Sequence, residues 1–182
     1  MIGLVLAVGL PLLDRSVKDN AVVAAGDRLE LGDGLTIAPP EGWRLTKGVT
    51  VDMPTLVPAQ PKSTSLLTDG PVKAVLQVGP FRGDSVRLLE QMNRNAVRST
   101  TKAGFTARGE RTAVVSTDGL DGVQERYTAD SGEGTLTAFA LPGDRGLVVA
   151  VTAPDGGQLS ARNEQVQRML SSLALTGTGD RS

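Results

Sequence analysis

The sequence of 182 residues contains no cysteine and no histidine. These absences exclude disulfides, cysteine-type zinc sites, haem ligation and a lipid anchor on an N-terminal cysteine. They also exclude Ser-His-Asp and Cys-His catalytic arrangements, which leaves acid–base chemistry to carboxylates, lysines or tyrosine. We therefore predict a chain without metal, cofactor or catalytic centre, with a carboxylate-dependent hydrolase as the remaining enzymatic alternative.

Aromatic residues and net charge are scarce as well. One Trp, one Tyr and three Phe leave an aliphatic core, and 19 basic against 20 acidic residues give a net charge of -1. A nucleic-acid-binding protein would show a basic patch, so nucleic acid is not an expected partner. The abundance of Ala, Gly and Val, with Arg exceeding Lys, indicates a high-GC coding bias such as that of actinobacteria.

Residues 1–13 form an apolar run without a charged side chain. As a helix they would measure about 20 Å, whereas a hydrocarbon core of about 30 Å requires about 20 residues. Three interpretations stay open: part of a signal anchor that starts upstream, a signal peptide cleaved near Ala25, or a hydrophobic helix of a soluble protein. The first two place the domain outside the cytoplasm, on a single-pass anchor or secreted after cleavage. The anchor residues would be Ile2, Leu4, Val5, Leu6, Val8, Leu10, Leu12 and Leu13.

The rest of the chain has the length of one domain. Residues 14–27 are a polar-to-small linker, residues 28–175 form the domain, and residues 176–182 are predicted to be a disordered tail. Trp43 follows a Pro- and Gly-containing turn and is expected to fill one end of the core, with stacking on a ligand as the alternative.

Period-two patterns predict most of the sheet. Residues 29–31 and 35–37 form two short strands around a turn, and residues 72–78 form a longer strand. Short Gly-containing turns then separate four strands of a meander. These strands are residues 111–116, 122–129, 134–141 and 146–153. Residues 147–151 are apolar on both faces, which predicts a central strand covered on both sides.

Two amphipathic helices complete the pattern. Asp84 or Ser85 caps a helix over residues 84–103, and a second helix begins near Ser160. The apolar face of the first helix comprises Val86, Leu89, Met92, Ala96 and Val97. That of the second comprises Leu159, Val166, Met169, Leu170 and Leu173. The predicted fold class is α+β, an antiparallel sheet flanked by two amphipathic helices.

The order of these elements resembles the PsbP-like superfamily, and within it the actinobacterial envelope proteins of the LpqN type. The resembling features are residues 35–43 (a hydrophobic strand, prolines and Gly-Trp), the helix at 84–103, the hairpins after it and the ending at 149–173. The resemblance covers residues 27–175 and implies a binding or accessory module at membrane-associated assemblies. LpqN-type proteins are anchored through a cysteine that this chain lacks, so no functional residue carries over.

Two sequence features resemble functional motifs. Arg82-Gly83-Asp84 spells an adhesion tripeptide, but its position before a helix favours a turn and a cap. Carboxylates cluster on Gly-rich loops, where they could hold Ca²⁺. The spacing is not that of an EF-hand loop, which favours solvated turns. These carboxylates are Asp118, Asp121, Glu125, Asp130 and Glu133.

Residues 47–63 contain three prolines and little periodicity, and long irregular connections in compact domains are often functional. The candidate partner-binding residues are Met53, Pro54, Leu56, Val57 and Pro58. We expect a non-catalytic, membrane-tethered extracytoplasmic accessory or scaffold subunit of a bacterial envelope complex, with other envelope or membrane proteins as partners. The alternative is a lipid- or cell-wall-glycan-binding protein that uses a groove between sheet and helices.

Overall fold

The computed structural model describes residues 21–47, 63–99 and 104–176. Its helices are α1 (Ser85–Ser99) and α2 (Gly156–Ser171). Its strands are β1 (Ala21–Val22), β2 (Leu29–Gly32), β3 (Leu35–Ile37), β4 (Arg44–Lys47), β5 (Ser63–Asp69), β6 (Val72–Pro80), β7 (Thr106–Val115), β8 (Asp121–Ala129), β9 (Gly132–Leu141), β10 (Arg145–Ala153) and β11 (Ala174–Leu175).

Most of the described strands form one antiparallel sheet in the order β1-β4-β5-β6-β10-β9-β8-β7. Strand β10 lies at its centre, between β6 and β9. Leu147, Val149 and Val151 face one hydrophobic cluster, and Val148 and Ala150 face the other. The prediction of a central strand covered on both sides is therefore confirmed, as is the α+β fold class.

A second, three-stranded sheet has the order β11-β3-β2. Its hairpin, β2 and β3, follows the sequence prediction. Strand β11 comes from the other end of the chain and pairs with β3, and Thr176 donates its backbone N–H to the carbonyl of Gly34 at 2.6 Å. The structure differs from the predicted boundaries here, because Thr176 is bound to the domain and Ala21–Val22 of the predicted linker pairs with β4.

Helix α1 covers β8 and β9 on one face of the large sheet. Asp84 caps it, since its carboxylate accepts a hydrogen bond from the N–H of Arg87 at 2.8 Å. The predicted apolar face was partly wrong: Val86 and Val97 are 42% and 61% exposed. The buried side chains are Leu88, Leu89, Met92 and Ala96. At about 100° per residue these four share one stripe, and Val86 and Val97 both lie beyond the same edge of it.

Helix α2 lies on the opposite face of the sheet. It begins at Gly156, earlier than the predicted start near Ser160, because Asp155 caps it by accepting from the N–H of Gln158 at 2.9 Å. The predicted apolar stripe is confirmed, with Leu159 partly buried and the other members fully buried. The same cluster contains Trp43, whose side chain is 1% exposed and donates from Nε1 to Oε1 of Gln165 at 3.3 Å. Trp43 is thus a core residue.

Strand β7 forms one edge of the large sheet and begins at Thr106, before the predicted residue 111. Its pairing with β8 is interrupted by a bulge between Arg108 and Thr112. Gly109 in this bulge has φ +85°, a conformation that glycine adopts without strain. Because residues 106–113 are all exposed at this edge of the sheet, they show no alternation of buried and exposed positions, and the sequence pattern detected only the second half of the strand.

Candidate binding groove

An open groove lies between α2 and the sheet surface formed by β7, β8 and β9. It has two halves, with cavity volumes of about 840 Å³ and about 580 Å³. Both halves are bordered by Arg108, Gly109, Arg126, Thr135 and Asn163, so these residues mark the point where the halves meet. The combined volume is sufficient for a small-molecule ligand.

The floor of the groove comes from the side chains of β7, β8 and β9 that face α2. Gln124 is tied to Thr137, donating from Nε2 to Oγ1 at 2.9 Å. Gln167 of α2 donates in turn to Oε1 of Gln124 at 3.0 Å. These hydrogen bonds between Gln167, Gln124 and Thr137 hold the helix against the sheet, and they place polar groups on the floor of the groove.

The wall of the groove is a polar stripe on α2. Ser160, Asn163, Gln167 and Ser171 follow one another at intervals of three or four residues, so they share one side of the helix. The core-facing stripe of α2 lies on another side. Helix α2 is therefore apolar toward the core and rich in hydroxyl and amide groups toward the groove.

The charged residues of the groove include a pair of arginines, and Arg168 of α2 also borders the larger half. Arg108 of β7 and Arg126 of β8 are direct cross-strand partners in the register. Both are exposed. Within the described part of the chain, neither side chain takes part in an ion pair. Glu110 and Glu164 border the larger half of the groove, and Glu133 borders the smaller half.

A buried polar cluster lies beneath α1, on the opposite face of the sheet. Glu125, whose side chain is 7% exposed, accepts from Nδ2 of Asn93 at 2.7 Å and from Nε of Arg111 at 3.0 Å. Arg111 also reaches Oε1 of Glu90 at 3.2 Å. The hydrogen bonds to these two carboxylates raise the pKa of Arg111. The β7 bulge thus directs Arg111 toward α1, where it neutralises a buried carboxylate.

Tyr127, the single tyrosine, packs beside this cluster. Its ring stacks on Phe105 with centroids 5.1 Å apart, and its hydroxyl shares a hydrogen bond with Thr152 at 2.5 Å. Burial raises the pKa of the Tyr127 phenol above its usual value, an effect that the hydrogen bond to Thr152 partly offsets. The phenol is therefore protonated in the folded protein at a pH where an unfolded chain has begun to ionise.

This raised pKa predicts a loss of stability in alkali. Above the ordinary tyrosine pKa of about 10, the folded state keeps a proton that the unfolded state has lost, so the free energy of unfolding falls as pH rises. Tyr127→Phe should reduce stability by about 1 kcal/mol at neutral pH and flatten the decline above pH about 10. Urea unfolding at several pH values measures both effects. A tyrosinate absorbance titration of the native protein with an ordinary midpoint would contradict the expectation.

The structure shows what the residues of the two motif-like features contact. In Arg82-Gly83-Asp84, Asp84 caps α1 and Arg82 pairs with Asp144 at 2.7 Å, which is a structural use of the tripeptide. Of the clustered acids, Glu125 is held by Arg111, and Asp118 accepts from the N–H of Leu175 at 3.0 Å. No group of three or more potential metal ligands is found among residues 21–47, 63–99 and 104–176.

The other predicted site residues lie outside the described residues. They are the anchor residues Ile2, Leu4, Val5, Leu6, Val8, Leu10, Leu12 and Leu13 and the partner-binding residues Met53, Pro54, Leu56, Val57 and Pro58. None of the helices in the described part of the chain has the length and apolar character needed to cross a membrane.

Sequence reasoning offered a groove between sheet and helices as the alternative, but it named none of the residues that line it. One usable signal was the spacing of Ser160, Asn163, Gln167 and Ser171, which gives a helix a second, uncharged polar stripe. Another was the polar alternation of Gln124, Arg126 and Thr128 in a strand of a sheet with helices on both faces. Nothing in the sequence indicates that Arg108 lies opposite Arg126, because the bulge sets the register of β7 against β8.

No protein-family model matches the sequence, and no curated protein matches it at a significant level. Among solved structures, the fold is similar to that of cyanobacterial PsbP (CyanoP) from Synechocystis sp. PCC 6803. The TM-score is 0.51 at 14% sequence identity, over 79% of this chain and 87% of the other. At this identity the likeness concerns the fold alone, so the chain has a PsbP-like α+β fold.

Proposed function

We propose that the chain is a non-catalytic accessory or scaffold subunit of a bacterial envelope protein complex. In this proposal, residues 1–13 tether it to the membrane and the α+β domain faces outside. The PsbP-like fold supports a binding role as an expectation of the resemblance. An LpqN-type relationship and an actinobacterial source belong to the same proposal.

The observation that carries the non-catalytic part is the use of the buried carboxylates. In the described part of the chain these are Asp27 and Glu125. Asp27 accepts a hydrogen bond from the N–H of Ala24 at 2.8 Å, and Glu125 is held by Asn93 and Arg111. A carboxylate-dependent hydrolase needs two carboxyl groups that face one substrate. Here both buried carboxylates serve the fold, and the Glu125 side chain lies on the face of the sheet opposite the groove. The carboxylates that do border the groove, Glu110, Glu164 and Glu133, are all exposed.

Fractionation and affinity capture test the proposal. The tagged full chain should sediment with membranes and, in mild detergent, retain a stoichiometric set of membrane or envelope proteins that mass spectrometry identifies. Deletion of residues 1–13 should move the protein to the soluble fraction. A full chain that stays soluble, or that is retained without any stoichiometric protein, would contradict the accessory role.

A matched pair of variants tests the predicted partner-binding residues. Replacing Met53, Leu56 and Val57 with serine should reduce capture of the partner by about tenfold, because apolar contacts dominate such interfaces. Val97→Ser on α1 is the control, since Val97 is 61% exposed and apolar. Equal capture by both variants would remove the segment from the proposal.

The groove favours a second candidate function, the binding of a cell-wall glycan. Its lining of hydroxyl, amide and guanidinium groups suits the hydroxyls of a sugar better than the acyl chain of a lipid. A chain captured with glycan and without partner proteins would favour this function over the accessory role.

A further inference from the structure

The cross-strand arginine pair is a local conflict in the fold. Like charges directly opposite in an antiparallel pair destabilise it, and the Cα atoms of such partners are about 4.5–5.5 Å apart. Arg108 and Arg126 occupy such positions, and neither is neutralised by a carboxylate in the described residues. Conflicts of this kind are expected where a site serves a ligand rather than stability.

An arginine without an ion pair is by itself ordinary: exposed Arg94 on α1 also forms no ion pair with any residue that the structure describes. Three features distinguish Arg108 and Arg126: their shared register, their position where the two halves of the groove meet, and the neutral donors Thr135 and Asn163 beside them. Two guanidinium groups present several N–H donors in a planar geometry that matches the oxygens of a phosphate group. From this geometry we propose that the groove binds a phosphate ester of a polyol, with Arg108 and Arg126 holding the phosphate.

The charges around the groove define the ligand further. Two guanidinium groups match a phosphate dianion better than a single carboxylate. Apart from the arginine pair, Glu110 and Glu164 outnumber Arg168 in the larger half, and Glu133 borders the smaller half, so the excess negative charge in each half would repel further negative charge on a ligand. The site therefore suits a ligand that carries one phosphate group and is otherwise uncharged, and disfavours polyanions such as nucleic acid or an acidic peptide.

The uncharged polar side chains of the groove fit ligand hydroxyl groups. Ser160, Asn163 and Gln167 on α2 face Thr112 and Thr135 on the sheet across the groove. Hydroxyl and amide side chains both donate and accept hydrogen bonds, as the hydroxyls of a sugar do. The ligand class is a sugar phosphate or the polyol phosphate headgroup of a lipid, two sources of the same chemistry. The inference deepens the glycan-binding candidate and does not depend on the accessory role.

Amide chemical shifts of the full chain, titrated with glucose 6-phosphate, glucose and inorganic phosphate, test the site. Glucose 6-phosphate should shift the amides of Gly109, Thr135 and Asn163, and glucose should bind about tenfold more weakly because it lacks the charge-assisted hydrogen bonds. Arg108→Gln and Arg126→Gln should each lower the affinity for glucose 6-phosphate by about tenfold. The matched control Arg94→Gln should leave its affinity unchanged.

Stability separates loss of the site from loss of the fold. Because each substitution removes a like-charge contact, both variants should unfold at the same or a higher urea concentration than the parent chain. Arg108→Lys keeps the charge without the planar geometry and should retain part of the affinity. If the Arg108→Gln and Arg126→Gln variants lost affinity only in proportion to a loss of folding stability, the proposed role of the two arginines in binding would be wrong.

Three outcomes would overturn the proposal, and two further outcomes distinguish a lipid headgroup from a soluble sugar as the source of the phosphate. Equal binding of glucose and glucose 6-phosphate would leave the glycan candidate standing and remove the phosphate. Equal weakening by Arg94→Gln would show non-specific electrostatics, and tighter binding of a hexaglutamate peptide would indicate an acidic partner. Vesicles with phosphatidylinositol 4-phosphate, whose headgroup carries a phosphate monoester, are compared with vesicles of phosphatidylcholine alone. Retention of the first kind only while both arginines are present locates the phosphate on a lipid headgroup. If the protein binds glucose 6-phosphate but retains neither kind of vesicle, the phosphate of the ligand belongs to a soluble sugar.

Discussion

Replacing Trp43 with alanine should lower the free energy of unfolding by about 3–5 kcal/mol. The indole is 1% exposed and belongs to the cluster that joins the small sheet and α2 to the large sheet. Truncation leaves a cavity within this cluster, and it removes the hydrogen-bond donor of the Oε1 atom of Gln165. Urea unfolding followed by circular dichroism measures the loss without relying on tryptophan fluorescence.

Trp43→Phe is the control for this experiment. It keeps most of the apolar ring and removes the hydrogen bond from Nε1, so it should cost clearly less than the alanine variant. If the two variants lost equal stability, the hydrogen bond to Gln165 rather than packing would be the main contribution of Trp43. An alanine variant within about 0.5 kcal/mol of the parent, as at a surface position, would contradict the placement of Trp43 in the core.

Replacing Arg111 with methionine should have the second large effect, a loss of about 1–3 kcal/mol. Glu125 is 7% exposed on its side chain and would keep its hydrogen bond from Asn93 but lose its counter-charge. A buried charge without a partner is costly, whereas an apolar replacement of both partners is often neutral. The double variant Arg111→Met with Glu125→Leu should therefore recover part of the stability lost in the single variant.

Urea unfolding of the parent, both single variants and the double variant gives the coupling between Arg111 and Glu125. Arg94→Met is the matched control, because Arg94 is exposed on the neighbouring helix and its loss should be nearly neutral. Additive effects in the cycle would mean that Arg111 and Glu125 contribute independently, contrary to the geometry.

Local patterns predicted the individual elements well. The alternation at residues 72–78 and the apolar run at 147–151 gave β6 and β10, because a strand buried on one or both faces shows this in its own residues. The two helices followed in the same way from their apolar periodicity. The errors fell where periodicity alone was insufficient: Val86 and Val97 are apolar yet exposed, and Asp155 moved the start of α2 toward the N-terminus.

The candidate site was less accessible to sequence reasoning. The partner-binding hypothesis on residues 53–58 and the anchor hypothesis on residues 1–13 stay predictions. The groove combines side chains from β7, β8, β9 and α2, which are far apart along the chain. Its arginine pair depends on a bulge whose register no local pattern reveals.

By itself, the sequence excluded thiol and imidazole chemistry and determined the α+β class, because composition and periodicity are properties of residues close together in the chain. Only the tertiary structure placed Ala174–Leu175 beside Leu35–Ile37 and put Arg108 opposite Arg126. These pairings depend on strand order and register, which result from the packing of the whole domain. The groove between α2 and the sheet is therefore a product of tertiary structure.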